Sequence, residues 1–79
     1  MKHHIRQALP DPELDPLLPI VERFLVDRSM SPTTFGTLAL NDTTFVHELR
    51  LGRELRRATR ARVLKFMDRE TAKKAGRAA

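Results

Sequence analysis

The segment from Ser31 to Arg53, SPTTFGTLALNDTTFVHELRLGR, restricts the fold of this chain more than any other feature. It opens with a serine-proline pair, which is a helix start signal because the hydroxyl caps a first turn in which proline needs no amide donor. The spacing predicts a helix from Pro32 to about Leu40. A break follows at Asn41-Asp42, and Gly52 occupies a position where a left-handed residue commonly ends a helix. The segment therefore predicts two short helices joined by a tight turn.

The second of these helices is predicted from Thr43 to about Arg50, with Asp42 as its N-terminal cap. Its two sides differ in polarity. One side carries the apolar residues Phe45, Val46 and Leu49. The other carries Thr43, His47 and Arg50 at helical spacing, flanked by Thr44 and Glu48. Two helices around a short turn, the second polar on its outer side, are the arrangement that inserts side chains into the major groove of DNA.

Helices are predicted on both sides of this pair. A first helix is expected from Asp15 or Leu18 to about Arg28, and its apolar face comprises Ile20, Val21, Phe24 and Leu25. A last helix is expected from Ala58 or Thr59 to roughly Ala75. No strand-like alternation occurs, so we predict an all-α domain of four or five helices with a helix-turn-helix. The predicted core of the motif comprises Phe35, Ala39, Val46, Leu49, Val63 and Phe66.

Three regions are predicted along the chain. Residues 1–16 contain three prolines and no helical period, which indicates a flexible N-terminal arm. Residues 17–68 form the helix-turn-helix domain. Residues 69–79 form a basic C-terminal tail, because the apolar pattern ends after Met67.

The charge is concentrated in the second half of the chain. The net charge is +5, with −1 in residues 1–30 and +6 in residues 31–79. Six arginines lie between Arg50 and Arg62, opposed by Glu54 alone. This distribution favours a polyanionic partner. The alternative is a solvated basic face that keeps the protein soluble.

Composition argues against several other classes of protein. No apolar run approaches the roughly 18 residues of a membrane span, and the N-terminus has no signal-peptide pattern. The absence of cysteine fits a cytoplasmic protein without disulfides. His3, His4 and His47 do not have metal-site spacing, and the three glycines are isolated. We therefore expect no enzyme activity, no metal or other cofactor, no membrane association and no small-molecule ligand.

The segment resembles the helix-turn-helix of the lambda-repressor-like (xenobiotic-response-element type) DNA-binding family. The resemblance lies in Phe35, Gly36 and Ala39 before the turn, Val46 and Leu49 after it, and the closing Gly52-Arg53. The stretch from Thr59 to Phe66 resembles the next helix of that family, and the similarity covers roughly residues 17–67. Two positions depart from the pattern, because Gly36 replaces the usual alanine and Leu40 occupies the place of the usual turn glycine.

The resemblance implies a small bacterial or phage transcriptional regulator that binds double-stranded DNA, as a homodimer, at the nucleoid. The residues expected at base edges are Thr43, Thr44, His47 and Glu48. The residues expected at phosphates or guanine are Arg50, Arg53, Arg56 and Arg57. The alternatives are a solvated polar face and arginines paired with Glu48 or Glu54. Phe45 is interpreted as a core residue or as a contact to a partner or a thymine methyl.

Two other functions remain open from the sequence. One is a protein-interaction adaptor that docks polymerase or another transcription protein. The other is a sequence-tolerant architectural or RNA-binding protein. Leu38, Leu40 and Leu51 are candidates for a second apolar patch, which would favour a dimer partner.

Overall fold

The computed structural model describes residues 14–78, with side chains as far as Lys74. It contains four helices: α1 Leu17–Arg28, α2 Pro32–Leu40, α3 Phe45–Arg50 and α4 Arg57–Ala78. No strand occurs in the described part of the chain, so the prediction of an all-α domain is confirmed, and its four helices lie within the predicted four or five. None of the helices within these residues is long and apolar enough to cross a membrane.

Local sequence signals explain where the helices begin and end. Ser31 caps α2 as predicted, since its Oγ accepts a hydrogen bond of 3.1 Å from the amide of Thr34. Asn41 ends α2 with a φ of 56°, and Gly52 follows α3 with a φ of 107°. The amides of Gly52 and Arg53 donate to the carbonyls of Leu49 and Glu48 at 3.2 and 3.0 Å, which satisfies the free carbonyls at the end of α3.

Two boundaries differ from the predictions, whereas α2 ends at Leu40 as predicted. The helix α3 begins at Phe45 rather than Thr43, because Asp42 Oδ1 accepts both the amide and the hydroxyl of Thr44 at 3.0 Å and holds these residues in a turn. The left-handed residue of the turn is Asn41, one position after Leu40, which itself is helical. The predicted tail from residue 69 continues α4 as a helix to Ala78.

The core lies where α1, α2 and α3 pack against the first half of α4. The buried apolar residues are Leu17, Leu18, Val21, Leu25, Phe35, Phe45, Val46, Leu49, Leu55, Val63, Phe66 and Met67. Phe35 is central, because its ring lies 5.3 to 6.2 Å from the rings of the three other phenylalanines. Ala39 is partly buried against this cluster. Ile20 was predicted in the apolar face of α1 but is 54% exposed, since the helix turns its Leu17 and Leu18 inward instead.

Gly36 allows α2 and the turn that follows it to approach closely. A Cβ atom at this position would lie 2.1 Å from the carbonyl oxygen of Asp42, which is far inside van der Waals contact. The glycine that departs from the alanine of the resembled family is therefore required by this packing.

The base of the predicted arm belongs to the folded domain. Most of residues 1–16 lies outside the described residues, but Asp15 is described and its side chain is only 2% exposed. Leu14 packs against the core as well. The folded domain therefore begins before residue 17.

Candidate nucleic-acid interface

The predicted base-contacting residues lie together on one exposed surface. Thr43 and Thr44 lie in the turn before α3, and His47 and Glu48 lie on the outer side of that helix. The inner side is formed by Phe45, Val46 and Leu49, each of which is fully buried. Burial of one side fixes the orientation of α3, so its polar side points to solvent. We refer to Thr43, Thr44, His47 and Glu48 as the polar face of α3.

Phe45 has a core role. Its ring is fully buried and stacks on Phe35 with a centroid distance of 6.2 Å and an interplanar angle of 16°. The guanidinium of Arg53 lies 5.6 Å from the Phe45 centroid, within the range of a cation–π contact. The ring is thus covered on the solvent side and offers no surface to a DNA methyl group or a protein partner.

An acidic cluster adjoins the polar face of α3. Glu48 Oε1 accepts a hydrogen bond of 2.7 Å from Arg53 Nη1, and Glu48 Oε2 accepts one of 3.2 Å from the Thr44 hydroxyl. Asp42 Oδ2 lies 3.4 Å from the same Arg53 nitrogen. Hydrogen bonds from Thr44, assisted by Arg53, lower the pKa of Asp42. Glu48 is therefore a partner of Arg53, and not of Arg50 as the sequence also allowed.

Arg50 is occupied by an acid from another helix. Its Nε and Nη2 donate to the two carboxylate oxygens of Glu22 on α1 at 2.7 and 2.8 Å. This pairing lowers the pKa of Glu22 and raises the pKa of Arg50. Arg50 therefore connects α3 to α1. Its Nε–Nη2 edge is occupied by Glu22 and is not free to contact guanine. The pairing differs from the expected contact to DNA and from the expected intrahelical pairs.

Arg56 lies in the loop before α4, and Arg57 is the first residue of that helix. Both side chains are exposed. Neither forms an ion pair with an acid in the described part of the chain. They are therefore available to an external anion.

A buried ion pair holds this region to α1. Asp15 accepts hydrogen bonds from Nη1 and Nη2 of Arg60 at 2.8 and 2.7 Å. Its carboxylate also accepts the amides of Leu17 at 2.8 Å and Leu55 at 3.1 Å. The Arg60 hydrogen bonds outweigh the effect of burial and lower the pKa of Asp15 to about 2. The loop that carries Arg56 is thereby fixed to the start of α1.

Sequence reasoning missed Asp15 and Glu22 as partners of arginines. The separations are 45 residues for Asp15–Arg60 and 28 for Glu22–Arg50, so helical spacing contains no signal for either pair. Asp15 directly precedes Pro16 and the first helix, and its Oδ1 accepts the Leu17 amide at 2.8 Å.

Two open depressions occur elsewhere in the described structure. One of about 480 Å³ is lined by Asp27, Arg28, Ser29, Glu70, Lys73 and Lys74. Another of about 410 Å³ is lined by Leu38, Phe66, Arg69, Glu70 and Lys73. Neither includes a residue of α3 or of the turn before it. Of the predicted apolar patch, Leu38 and Leu51 are exposed, whereas Leu40 is partly buried.

Comparison with protein-family models, with curated proteins and with solved structures found no match. The functional assignment therefore depends on the residues and their geometry.

Proposed function

We propose that this protein is a sequence-specific double-stranded DNA-binding transcriptional regulator of the helix-turn-helix type. In this proposal α2 and α3 form the motif, and the polar face of α3 enters the major groove. The observation that carries the proposal is the separation of α3 into a fully buried apolar side and an exposed polar side. A helix held in this way can offer its outer side chains to base edges without disturbing the core. Arg56 and Arg57 follow α3 in the chain and have no acidic partner among the described residues.

The supporting geometry is that of a short, rigid helix pair. The turn from Asn41 to Thr44 is closed by the left-handed Asn41 and by the Asp42–Thr44 hydrogen bonds. The contact at Gly36 brings α2 against this turn. Rigidity matters because base readout requires the reading side chains to be held in position before binding.

The electrostatic support comes from Arg56 and Arg57. Charge neutralisation of phosphates by arginine supplies most of the sequence-independent affinity of DNA-binding proteins. Because these two side chains are exposed and free of acidic partners among the described residues, they are our candidates for phosphate contacts. Arg50 is not retained as a candidate, since Glu22 engages it.

We further propose a homodimer. A homodimer is what the resemblance implies, and Leu38 and Leu51, which are 55% and 74% exposed, are our candidates for its interface. A dimer would place two copies of α3 on successive major grooves. Sedimentation velocity on the full chain, with and without operator DNA, measures the oligomeric state directly.

The test is a salt titration of binding to random duplex DNA, together with selection of bound sequences from a random duplex pool. DNA binding through phosphates requires a steep fall of log affinity with log salt. Arg56→Ala and Arg57→Ala should each weaken binding to all duplexes and reduce the slope by about one unit. The matched control is Arg23→Ala, which removes one exposed charge on α1 and should leave the slope unchanged.

The outcomes separate the candidate functions. Absence of a salt-dependent affinity for duplex DNA would refute the proposal and favour the protein-interaction adaptor. Salt-dependent binding without an enriched motif would favour a sequence-tolerant nucleic-acid-binding protein. An enriched motif together with reduced slopes for Arg56→Ala and Arg57→Ala is the expected result.

A further inference from the structure

Arg53, a half-buried arginine just after α3, is held by contacts to its backbone and to its side chain. Its amide donates to the carbonyl of Glu48 at 3.0 Å, which fixes the backbone against the end of the helix. Its Nη1 is held by the carboxylates of Glu48 at 2.7 Å and Asp42 at 3.4 Å. The guanidinium carbon lies 5.6 Å from the centroid of the Phe45 ring, within the range of a cation–π contact. The side chain is therefore ordered before any ligand binds.

The carboxylates that hold Arg53 are themselves held. The hydroxyl of Thr44 lies 3.0 Å from Asp42 Oδ1 and 3.2 Å from Glu48 Oε2, so its single proton can be donated to one of the two acids at a time. Arg53 Nη1 contacts both acids. This leaves the cluster of Asp42, Glu48 and Arg53 as one connected unit between the turn and the end of α3. Its side chains are between a third and a half exposed, so the unit is accessible from solvent.

One edge of the Arg53 guanidinium remains open. Neither Nε nor Nη2 donates to a described residue, because both contacts to acids use Nη1. Two parallel N–H groups of this kind match the N7 and O6 acceptors of guanine. Arg50 differs, since its Nε and Nη2 are both engaged by Glu22, and Arg60 differs, since both its terminal nitrogens are engaged by Asp15.

The charge of the cluster favours a base edge over a phosphate. One arginine and two carboxylates give the unit a net charge of −1, which repels a phosphate group. A guanine edge is uncharged and presents two acceptors, so it can use the open edge of Arg53 without approaching the acids.

We propose that Arg53 reads a guanine through its Nε and Nη2, and that Glu48, with Asp42, is a positioning residue that holds the guanidinium for this contact. The inference rests on the proposed DNA-binding function and names the specificity-determining residue of that site. It gives Glu48 a different role from the direct base contact expected from the sequence. The ordered guanidinium needs no rearrangement on binding, which reduces the entropic cost of the contact.

The experiment is selection of bound sequences from a duplex pool with a fully random central region, performed with the wild type, four single variants and one double variant of the full chain. Arg53→Lys keeps the charge and removes the planar fork. Glu48→Ala removes the carboxylate that holds Nη1, and Glu48→Gln keeps an oxygen acceptor there. The control Arg23→Lys makes the same change as Arg53→Lys at an exposed arginine on α1, outside the proposed DNA-binding surface. Thermal melts establish that each variant is folded.

The wild type should select a guanine at a defined position, and Arg53→Lys should reduce that preference about tenfold or more. Glu48→Ala should reduce the preference at the same base pair several-fold, and Glu48→Gln should recover part of it. In the Arg53→Lys background, Glu48→Ala should have no further effect on base preference, because Glu48 acts through Arg53. Arg23→Lys should return the wild-type motif.

Three results would overturn the inference. They are an unchanged motif for Arg53→Lys, a loss of preference at a different base pair in Glu48→Ala, and an additive effect in the double variant. Salt-dependent DNA binding by the wild type without any selected guanine would also overturn it while leaving DNA binding intact. Failure of the wild type to bind duplex DNA would overturn both the inference and the proposed function.

Discussion

Replacing Asp15 with asparagine should destabilise the fold by about 2–3 kcal/mol at neutral pH. The magnitude follows from the pKa of Asp15, which is lowered from 3.8 to about 2 in the folded protein, chiefly by hydrogen bonds from Arg60. Each pKa unit corresponds to about 1.4 kcal/mol of preference for the ionised form. The Asp15 side chain is 2% exposed, so solvent screening of its interactions is small. Arg60 is 35% exposed and can be hydrated, which limits the cost of losing its partner.

The pH dependence of this effect has a definite sign. Because the folded pKa lies below the unfolded one, ionised Asp15 stabilises the protein fully above the unfolded value of 3.8. That contribution is lost as the pH falls from there through about 2. The difference in stability between the wild type and Asp15→Asn should therefore shrink on acidification. Glu22 and Asp42 also have lowered pKa values, but both residues are present in the wild type and in the variant. Their contributions to the pH dependence of stability therefore cancel in the difference.

Urea denaturation followed by circular dichroism, at neutral pH and near the folded pKa of Asp15, measures both quantities. Asp27→Asn is the matched control, since Asp27 forms an exposed pair with Arg23 and should contribute no more than about 1 kcal/mol. Equal stabilities of the wild type and Asp15→Asn at neutral pH would refute the reasoning. A difference that persisted undiminished in acid would show that the amide geometry, and not the lost charge, is responsible.

Two further predictions concern the helix pair. Val46→Ala and Leu49→Ala should each destabilise the fold by about 2–4 kcal/mol, because both side chains are fully buried. A double variant with a wild-type thermal midpoint would refute the packing of this side of α3 in the core. Gly36→Ala should destabilise by about 1–3 kcal/mol despite the better helix propensity of alanine, because its methyl group would overlap the Asp42 carbonyl. Thr33→Ala, at an exposed position of α2, is the control for this measurement, and stabilisation by Gly36→Ala would contradict the close approach.

The predictions that succeeded depend on a few consecutive residues. Ser31 and Pro32 specify the start of α2 because the capping hydroxyl and the amide that it accepts lie three residues apart. The apolar period likewise predicted which side of α3 is buried. The start of α3 was predicted two residues early, because an aspartate side chain can support either a helix cap or a turn.

The predictions about the arginines had a different outcome. Arg50 is the last residue of α3 and Arg53 follows it by three residues. The sequence predicted the same role for both, a contact to phosphate or guanine. In the folded chain Arg50 has both nitrogens of one edge on Glu22, while Arg53 is held through one nitrogen and keeps an edge open. The difference arises because α1 brings an acid to Arg50 alone, and no local pattern reports the distance between α1 and α3.

Local sequence patterns are sufficient to predict the all-α fold, the helix caps and the separation of α3 into apolar and polar sides. Each of these features depends on hydrogen bonds or periodicity within one or two helical turns. Folding in three dimensions decided the need for glycine at residue 36 and the pairing of Asp15 with Arg60. It also decided which arginines remain available to a ligand. These properties depend on contacts between segments as far as 45 residues apart, and such contacts are set by the packing of the helices on one core.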